Sequence, residues 1–147
     1  MFKHILIPTD GSETADKAVR AGVDFARDAK AKVTCLTAMP EYQMPTESEL
    51  MSKHGITPEE HARRCREKAE AIFADVASRA SAAGIEFATE YVQSDRPYEA
   101  IIDAAKRHGC DLIFMASHGR RGISALLHGS QTQDVLTHST IPTLVYR

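Results

Sequence analysis

Two short strands, Lys3–Pro8 and Asp111–Met115, carry consecutive apolar side chains with no polar alternation, Ile5-Leu6-Ile7 in the first and Leu112-Ile113-Phe114-Met115 in the second. A strand with one wet face alternates, so an unbroken apolar run too short for a helix of its own is a strand covered on both faces. Each run opens into small and turn-forming residues: Pro8-Thr9-Asp10-Gly11-Ser12 after the first, Ala116-Ser117-His118-Gly119 after the second. Covering both faces of such a strand takes a helix layer on each side. These runs therefore call for a parallel sheet between two layers of helix.

The rest of the chain supplies those helices, in strand–helix alternation. A first strand over Lys3–Pro8 leads to a helix capped by Asp10 or Ser12, with Asp10 and Glu13 at the spacing of a capping box. Its apolar face is Ala15, Ala18, Val19, Gly22, Phe25, Ala26 and Ala29. A second strand, Lys32–Met39, stops at Pro40. The polar segment from Glu41 to Ile56 then exceeds an ordinary connection, so it is a mobile lid or holds a short helix. Thr57 as N-cap, Pro58 at the first helical position and Glu60 closing a capping box start the next helix, which ends before Gly84. Its stripe runs from Ala62 through Cys65, Ala69, Ile72, Phe73, Val76 and Ala80 to Ala83. Glu86–Val92 alternates and so belongs near a sheet edge. Pro97 opens a helix carrying Ile101, Ile102 and Ala105 that stops near Gly109; Ser130 to about His138 forms another, and Thr143–Tyr146 a short last strand. At 147 residues, all of this is expected to be one domain, residues 1–147.

Composition closes off several classes of function. The net charge is −2 and the basic residues are scattered, so no basic field points to nucleic acid. No apolar run approaches the ~20 residues that span a bilayer, so no membrane partner is expected. The amino terminus runs straight into a strand and leaves no room for a signal peptide, which makes the cytoplasm the expected location. Cys35 and Cys65 fall on apolar runs and stripes and are expected in the core. Neither they nor Cys110 has a CxxC spacing. His118, His128 and His138 recur at intervals of ten, which suits no helical metal site.

The stretch from Met115 to Thr132 carries the chemistry. Nine residues separate Gly119 from Gly129, and Gly129-Ser130 opens the last helix. Residues with little side chain let the backbone come close to a ligand, and the free N–H groups of a helix start suit phosphate. The Ser130 hydroxyl can add a hydrogen bond or reach a phosphate-bound metal, and Gln131 and Thr132 continue the same turn. Asp10, at the end of a central strand, can meet a ribose or an adenine edge, or can simply cap the following helix. Met115-Ala116-Ser117-His118-Gly119 also looks like a nucleophile elbow without its first glycine, followed by Asp134 and His138 in hydrolase order. Those two fall one turn apart on a short helix, which argues that this constellation is chance. Neither a GxxxxGK[ST] loop nor a GxGxxG fingerprint is present.

The spacing of Gly119, Gly129 and Ser130 resembles the nucleotide-binding signature of the universal stress proteins: G, two residues, G, nine residues, G, then Ser or Thr. Ala116 stands where the ATP-binding branch has its first glycine. Ile5–Ser12 resembles the family's first strand and turn, and Ser139–Val145 its last strand with the preceding proline. The resemblance implies a three-layer α/β/α domain with a five-stranded parallel sheet in the order 3-2-1-4-5. Ligands in such sheets bind beyond the carboxyl ends of the strands at the switch point between strands one and four. It also implies that Pro8, Thr9 and Asp10 meet the adenosine part, with Ala38 against the base. Met115, Ala116, His118, Gly119, Gly129, Ser130, Gln131 and Thr132 complete the site. The ligand implied is ATP, or ADP or AMP, with Mg²⁺ as the accompanying ion, bound by a regulatory or sensor module. Enzymatic activity is not expected beyond slow ATP hydrolysis. The last strand is expected to pair with that of a second copy in a homodimer that serves a protein partner. The alternative is a member without nucleotide, working purely as a protein-interaction dimer. Ala116 bears on that choice. If the family glycine serves a left-handed backbone, alanine costs about 1–2 kcal/mol; if it serves close approach, the methyl crowds the ribose.

Overall fold

The computed structural model describes residues 1–52, 55–117 and 131–147. Strands β1 (His4–Pro8), β2 (Lys32–Met39), β3 (Phe87–Gln93), β4 (Leu112–Ala116) and β5 (Thr143–Tyr146) form one sheet in the order β3-β2-β1-β4-β5. Every neighbouring pair is parallel. The expected order and layering are both present. β1 lies at the centre, and Ile5, Leu6 and Ile7 are each 0% exposed.

Side-chain alternation along β1 divides the core in two. Ile5 and Ile7 pack with Val19, Val23, Val33, Val76 and Phe114, under helices α1 (Glu13–Ala29) and α3 (Pro58–Ala82). Leu6 packs on the other face with Leu36, Ile101, Ile113 and Val135, under α4 (Pro97–Arg107) and the helical residues 131–138, here α5. Gly22 is where α1 comes closest to the sheet: a Cβ there would stand 2.7 Å from Ile7 Cδ1 and 3.1 Å from the Phe114 ring. The edge position expected for the alternating third strand holds, since among the described residues β3 pairs with β2 alone and its residues are half-buried or exposed. Among the described residues no helix is long and apolar enough to cross a membrane.

The helix starts depart in detail from the sequence pattern. Ser12, not Asp10, caps α1 by accepting the Ala15 N–H at 3.2 Å. Asp10 Oδ1 instead accepts the Ser12 N–H at 2.9 Å, and Glu13 reaches Lys17, so the Asp10–Glu13 box does not form. The cause is Gly11, whose φ of +78° turns the chain and delays the helix. Thr57 caps α3 and Pro58 begins it, as expected, but the Glu60 carboxylate goes to Arg64 one turn on rather than back to the cap. A true capping box sits earlier. Thr46 and Glu49 exchange bonds at the start of the short helix α2 (Glu47–Met51), which lies within the polar 41–56 segment. That segment is fastened at both ends: the Glu41 N–H donates to Asp95 Oδ1 at 3.0 Å and the Tyr42 hydroxyl to the Ile56 carbonyl at 2.9 Å.

At the amino ends of the strands, Asp111 accepts the backbone N–H groups of Lys3 and His4 at 2.8 and 3.1 Å. The buried His4 ring lies 2.7 Å from the Thr34 hydroxyl. Burial holds the His4 imidazole below its ordinary value; the charge on Lys32 pushes the same way, while Asp111 opposes it.

Two outcomes follow from these local arrangements. Because the folded-state value of His4 is depressed, its contribution to stability is complete above the ordinary value of 6.5 and is lost as pH falls through the lowered one. Thermal midpoints taken below pH 6.5 should fall less steeply for His4→Gln than for the native chain; equal slopes would remove His4 from the account. Gly11→Ala forces a left-handed alanine and places a Cβ 2.9 Å from Ile72 Cδ1. The expected loss is about 1–2 kcal/mol, or about 2–8 °C in thermal midpoint at this chain length. An unchanged melting curve would contradict it.

Candidate functional site

The crossover from β1 goes through α1 to β2, whereas β4, on the other side of β1, is reached through α4. The two connections leave in opposite directions, so the carboxyl ends of β1 and β4 form a topological switch point, the place where open α/β sheets carry their ligand crevice. The register Leu6↔Ile113 sets Pro8 level with Met115, and Pro8↔Leu36 sets Ala38 two residues further along β2. Pro8, Thr9, Asp10, Ala38, Met115 and Ala116 thus lie at one end of three adjacent strands.

The loop after β1 is held by its own short side chains. The Thr9 N–H donates to the Leu36 carbonyl at 2.9 Å, extending the β1–β2 pairing by one residue. The Thr9 carbonyl accepts the buried Thr37 hydroxyl at 3.1 Å, and Thr9 Oγ1 accepts the Gly11 N–H at 3.1 Å. With the Asp10–Ser12 bond, every residue from Thr9 to Ser12 has a defined tie. The Thr37 contact has no signal in the sequence, because it joins positions 28 apart through a side chain.

Ala116 is the last residue of β4, opposite Tyr146 of β5, and its methyl packs on the core cluster beneath α1 and α3. Among the described residues Lys30 is the one non-glycine with positive φ. The left-handed conformation that would make alanine costly at 116 is therefore not the one adopted. The Ser117 N–H donates to the Tyr146 carbonyl at 2.8 Å and carries the β4–β5 pairing one step further.

Gln131 and Thr132 reach this end of the sheet from α5, but their side chains hold protein groups. The Thr132 hydroxyl donates to the Ala116 carbonyl at 3.1 Å. Gln131 Oε1 accepts the Tyr98 N–H at 2.8 Å, in the first turn of α4. Both residues, expected to continue a phosphate-binding turn, thus have their side chains engaged with protein groups. His118, Gly119, Gly129 and Ser130 lie outside the described residues, as does His128.

Beside the Thr9–Ser12 loop, on the α1–α3 side, lies a cleft of about 430 Å³. Its floor is Val19, Ile72 and Val76, and its rim bears Asp16 and Asp75, which Arg79 bridges at 3.3 and 3.1 Å. Carboxylates on the rim make it unsuited to phosphate. The Asp134–His138 pair does not have triad geometry, because His138 Nδ1 donates to the main-chain oxygen of Asp134 at 2.9 Å. Burial pushes the Cys35 thiol up to about 12 and, with Asp111 alongside, Cys110 to about 12, which removes both as thiolates near neutrality. Cys65 is buried as well, so the expected core placement holds.

Comparison with known proteins agrees with this architecture. The universal stress protein family model matches residues 1–147. A curated relative from Thermus aquaticus, the universal stress protein in the QAH/OAS sulfhydrylase 3′ region, is 32% identical over 147 residues and covered completely, as is this chain. The solved structure of Methanocaldococcus jannaschii MJ0577 superposes with a TM-score of 0.77 at 30% identity, over 99% of this chain and 95% of that one. Three more distant structures, alike in fold, hold adenine nucleotides. They are a universal stress protein with cAMP (22% identical, TM-score 0.67, 99% and 97% covered), one from Archaeoglobus fulgidus with dAMP (15%, 0.62, 100% and 98%) and one from Arabidopsis thaliana with AMP (13%, 0.66, 97% and 90%). Over its whole length this chain belongs to the universal stress protein family.

Proposed function

We propose that the protein binds an adenine nucleotide, ATP by preference and with Mg²⁺, in the crevice between β1 and β4, and acts as a cytoplasmic regulatory module whose occupancy alters its conformation or its choice of protein partner. Thr9 and Asp10 meet the ribose and Ala38 the base. Gly119, Gly129 and Ser130 hold the phosphates, with Met115 and His118 contributing backbone groups. The observation that carries this reading is the tie from Thr132 to the Ala116 carbonyl. It brings the helix that follows the Gly129-Ser130 pair to the switch point, where the N–H groups of a helix start can meet phosphate. The adenine nucleotides held by three structures of the same fold support the ligand class. Hydrolysis on this reading is at most slow, since neither a GxxxxGK[ST] loop nor a GxGxxG fingerprint is present in the sequence.

The protein acts as a homodimer through β5. Among the described residues this strand pairs on one side, with β4, and Tyr146 on it is exposed. Light scattering should give twice the chain mass; a clean monomer would remove this part of the proposal.

The nucleotide reading is tested by calorimetric titration of nucleotide-stripped protein with ATP and Mg²⁺, with AMP and GTP as controls. Saturable heat with ATP favoured over both controls is expected. Heat no larger than dilution up to millimolar ATP would leave the alternative, a dimer that works through protein contacts alone. Since Ala116 is an extended strand residue, Ala116→Gly relieves no backbone strain. The variant should bind ATP within about fivefold of the native chain, a difference of about 1 kcal/mol.

A further inference from the structure

The start of α5 is fastened by two side chains that reach in different directions. Thr132, itself only 8% exposed, bonds the Ala116 carbonyl at the end of β4. Gln131 caps a different helix. α4 begins with Arg96, which makes no side-chain cap, and with Pro97, which has no N–H to offer. The Tyr98 N–H, one of the donors a helix start leaves without an intrahelical partner, is taken by Gln131 Oε1 at 2.8 Å. The same tyrosine ring lies 5.3 Å from His138 at the far end of α5, so α4 and α5 are joined at both ends of α5. Two bonds from adjacent residues to two different elements fix a helix start in position and in angle. One bond would leave it free to pivot.

We infer that Gln131 and Thr132 are positioning residues of the nucleotide site: they aim the first turn of α5 at the crevice, and the affinity for a phosphate chain over the bare nucleoside depends on them. This rests on the nucleotide-binding proposal above. The chemistry separates the two halves of the ligand. The nucleoside half is met by the ends of β1 and β2, whose ties through Thr9 and Thr37 do not involve α5. The phosphate half is met by N–H groups whose hydrogen bonds weaken steeply with misdirection.

The test compares ATP and adenosine by calorimetry for the native chain, Thr132→Val and Thr132→Ser, with thermal midpoints as a check on folding. Valine keeps the shape and loses the hydroxyl; serine keeps the hydroxyl. Thr132→Val should weaken ATP about tenfold, as expected for one lost buried hydrogen bond, and leave adenosine within about twofold. Thr132→Ser should restore ATP to within about threefold of native. Gln131→Met, which keeps the length and removes the acceptor, should show the same selective loss and decides the matter if the valine variant does not fold. Equal weakening of ATP and adenosine, or no change in either, overturns the inference while leaving nucleotide binding intact. A native chain that binds neither ligand overturns both.

Discussion

Burial of β1 on both faces is the constraint from which the rest of the structure follows. Ile5, Leu6 and Ile7 are completely removed from water. At about 1.5–3 kcal/mol for each fully buried side chain, these three alone rival the net stability of a small domain. Such a strand needs a neighbour on each side and helices above and below. The right-handed crossover through α1 fills one side with β2, and β4 fills the other only by a connection running over the opposite face, through α4. The crevice at the carboxyl ends of β1 and β4 is thus a by-product of covering the central strand. A ligand site placed there uses a gap the topology must leave in any case.

The two ends of the sheet are finished in different ways. At the amino end the ties are made by titratable side chains: Asp111 accepts the amides of Lys3 and His4, and the His4 ring bonds Thr34. At the carboxyl end the groups with defined ties are short and mostly hydroxyl. Thr9, Ser12, Thr37 and Thr132 each bond a backbone group. Small hydroxyls fix loop geometry without filling the space in front of the strands.

The elements were legible in the sequence because each is dictated locally: unbroken apolar runs for β1 and β4, helical spacing for α1 and α3, Thr57-Pro58 for the start of α3, Gly84 for its end. Even α2 was written there, since Thr46 and Glu49 have capping-box spacing within the segment expected to be a mobile lid or to hold a short helix. The order of the strands came from family resemblance, because period and composition leave several orders open. Competition between nearby groups was not legible. Asp10 and Ser12 are both good caps, and only the turn at Gly11 decides between them; Glu60 has the choice of its cap or Arg64 and takes the cation. Least legible were bonds from a side chain to a distant main-chain group, such as Thr37 to Thr9 and Gln131 to Tyr98, which leave no periodic trace. Those bonds shape the candidate site.

Ala116 shows how such information changes the weight of a single residue. In the sequence it is a departure from the signature, open to two explanations. One is that the missing glycine supplied a left-handed turn; the other is that it supplied room. As the last residue of β4, paired opposite Tyr146, residue 116 is extended, and the first explanation falls away. Its methyl belongs to the packing under α1 and α3, while its carbonyl holds Thr132. Neither attachment asks for a positive φ: the carbonyl bond is open to glycine and alanine alike, and the methyl contact is one that alanine adds. What remains is the steric explanation, and the methyl it concerns packs on the core cluster under α1 and α3. On the proposed reading a single methyl group tunes affinity for a nucleotide rather than deciding whether a site exists, because the switch point is made by the crossing of connections around β1 and not by residue 116.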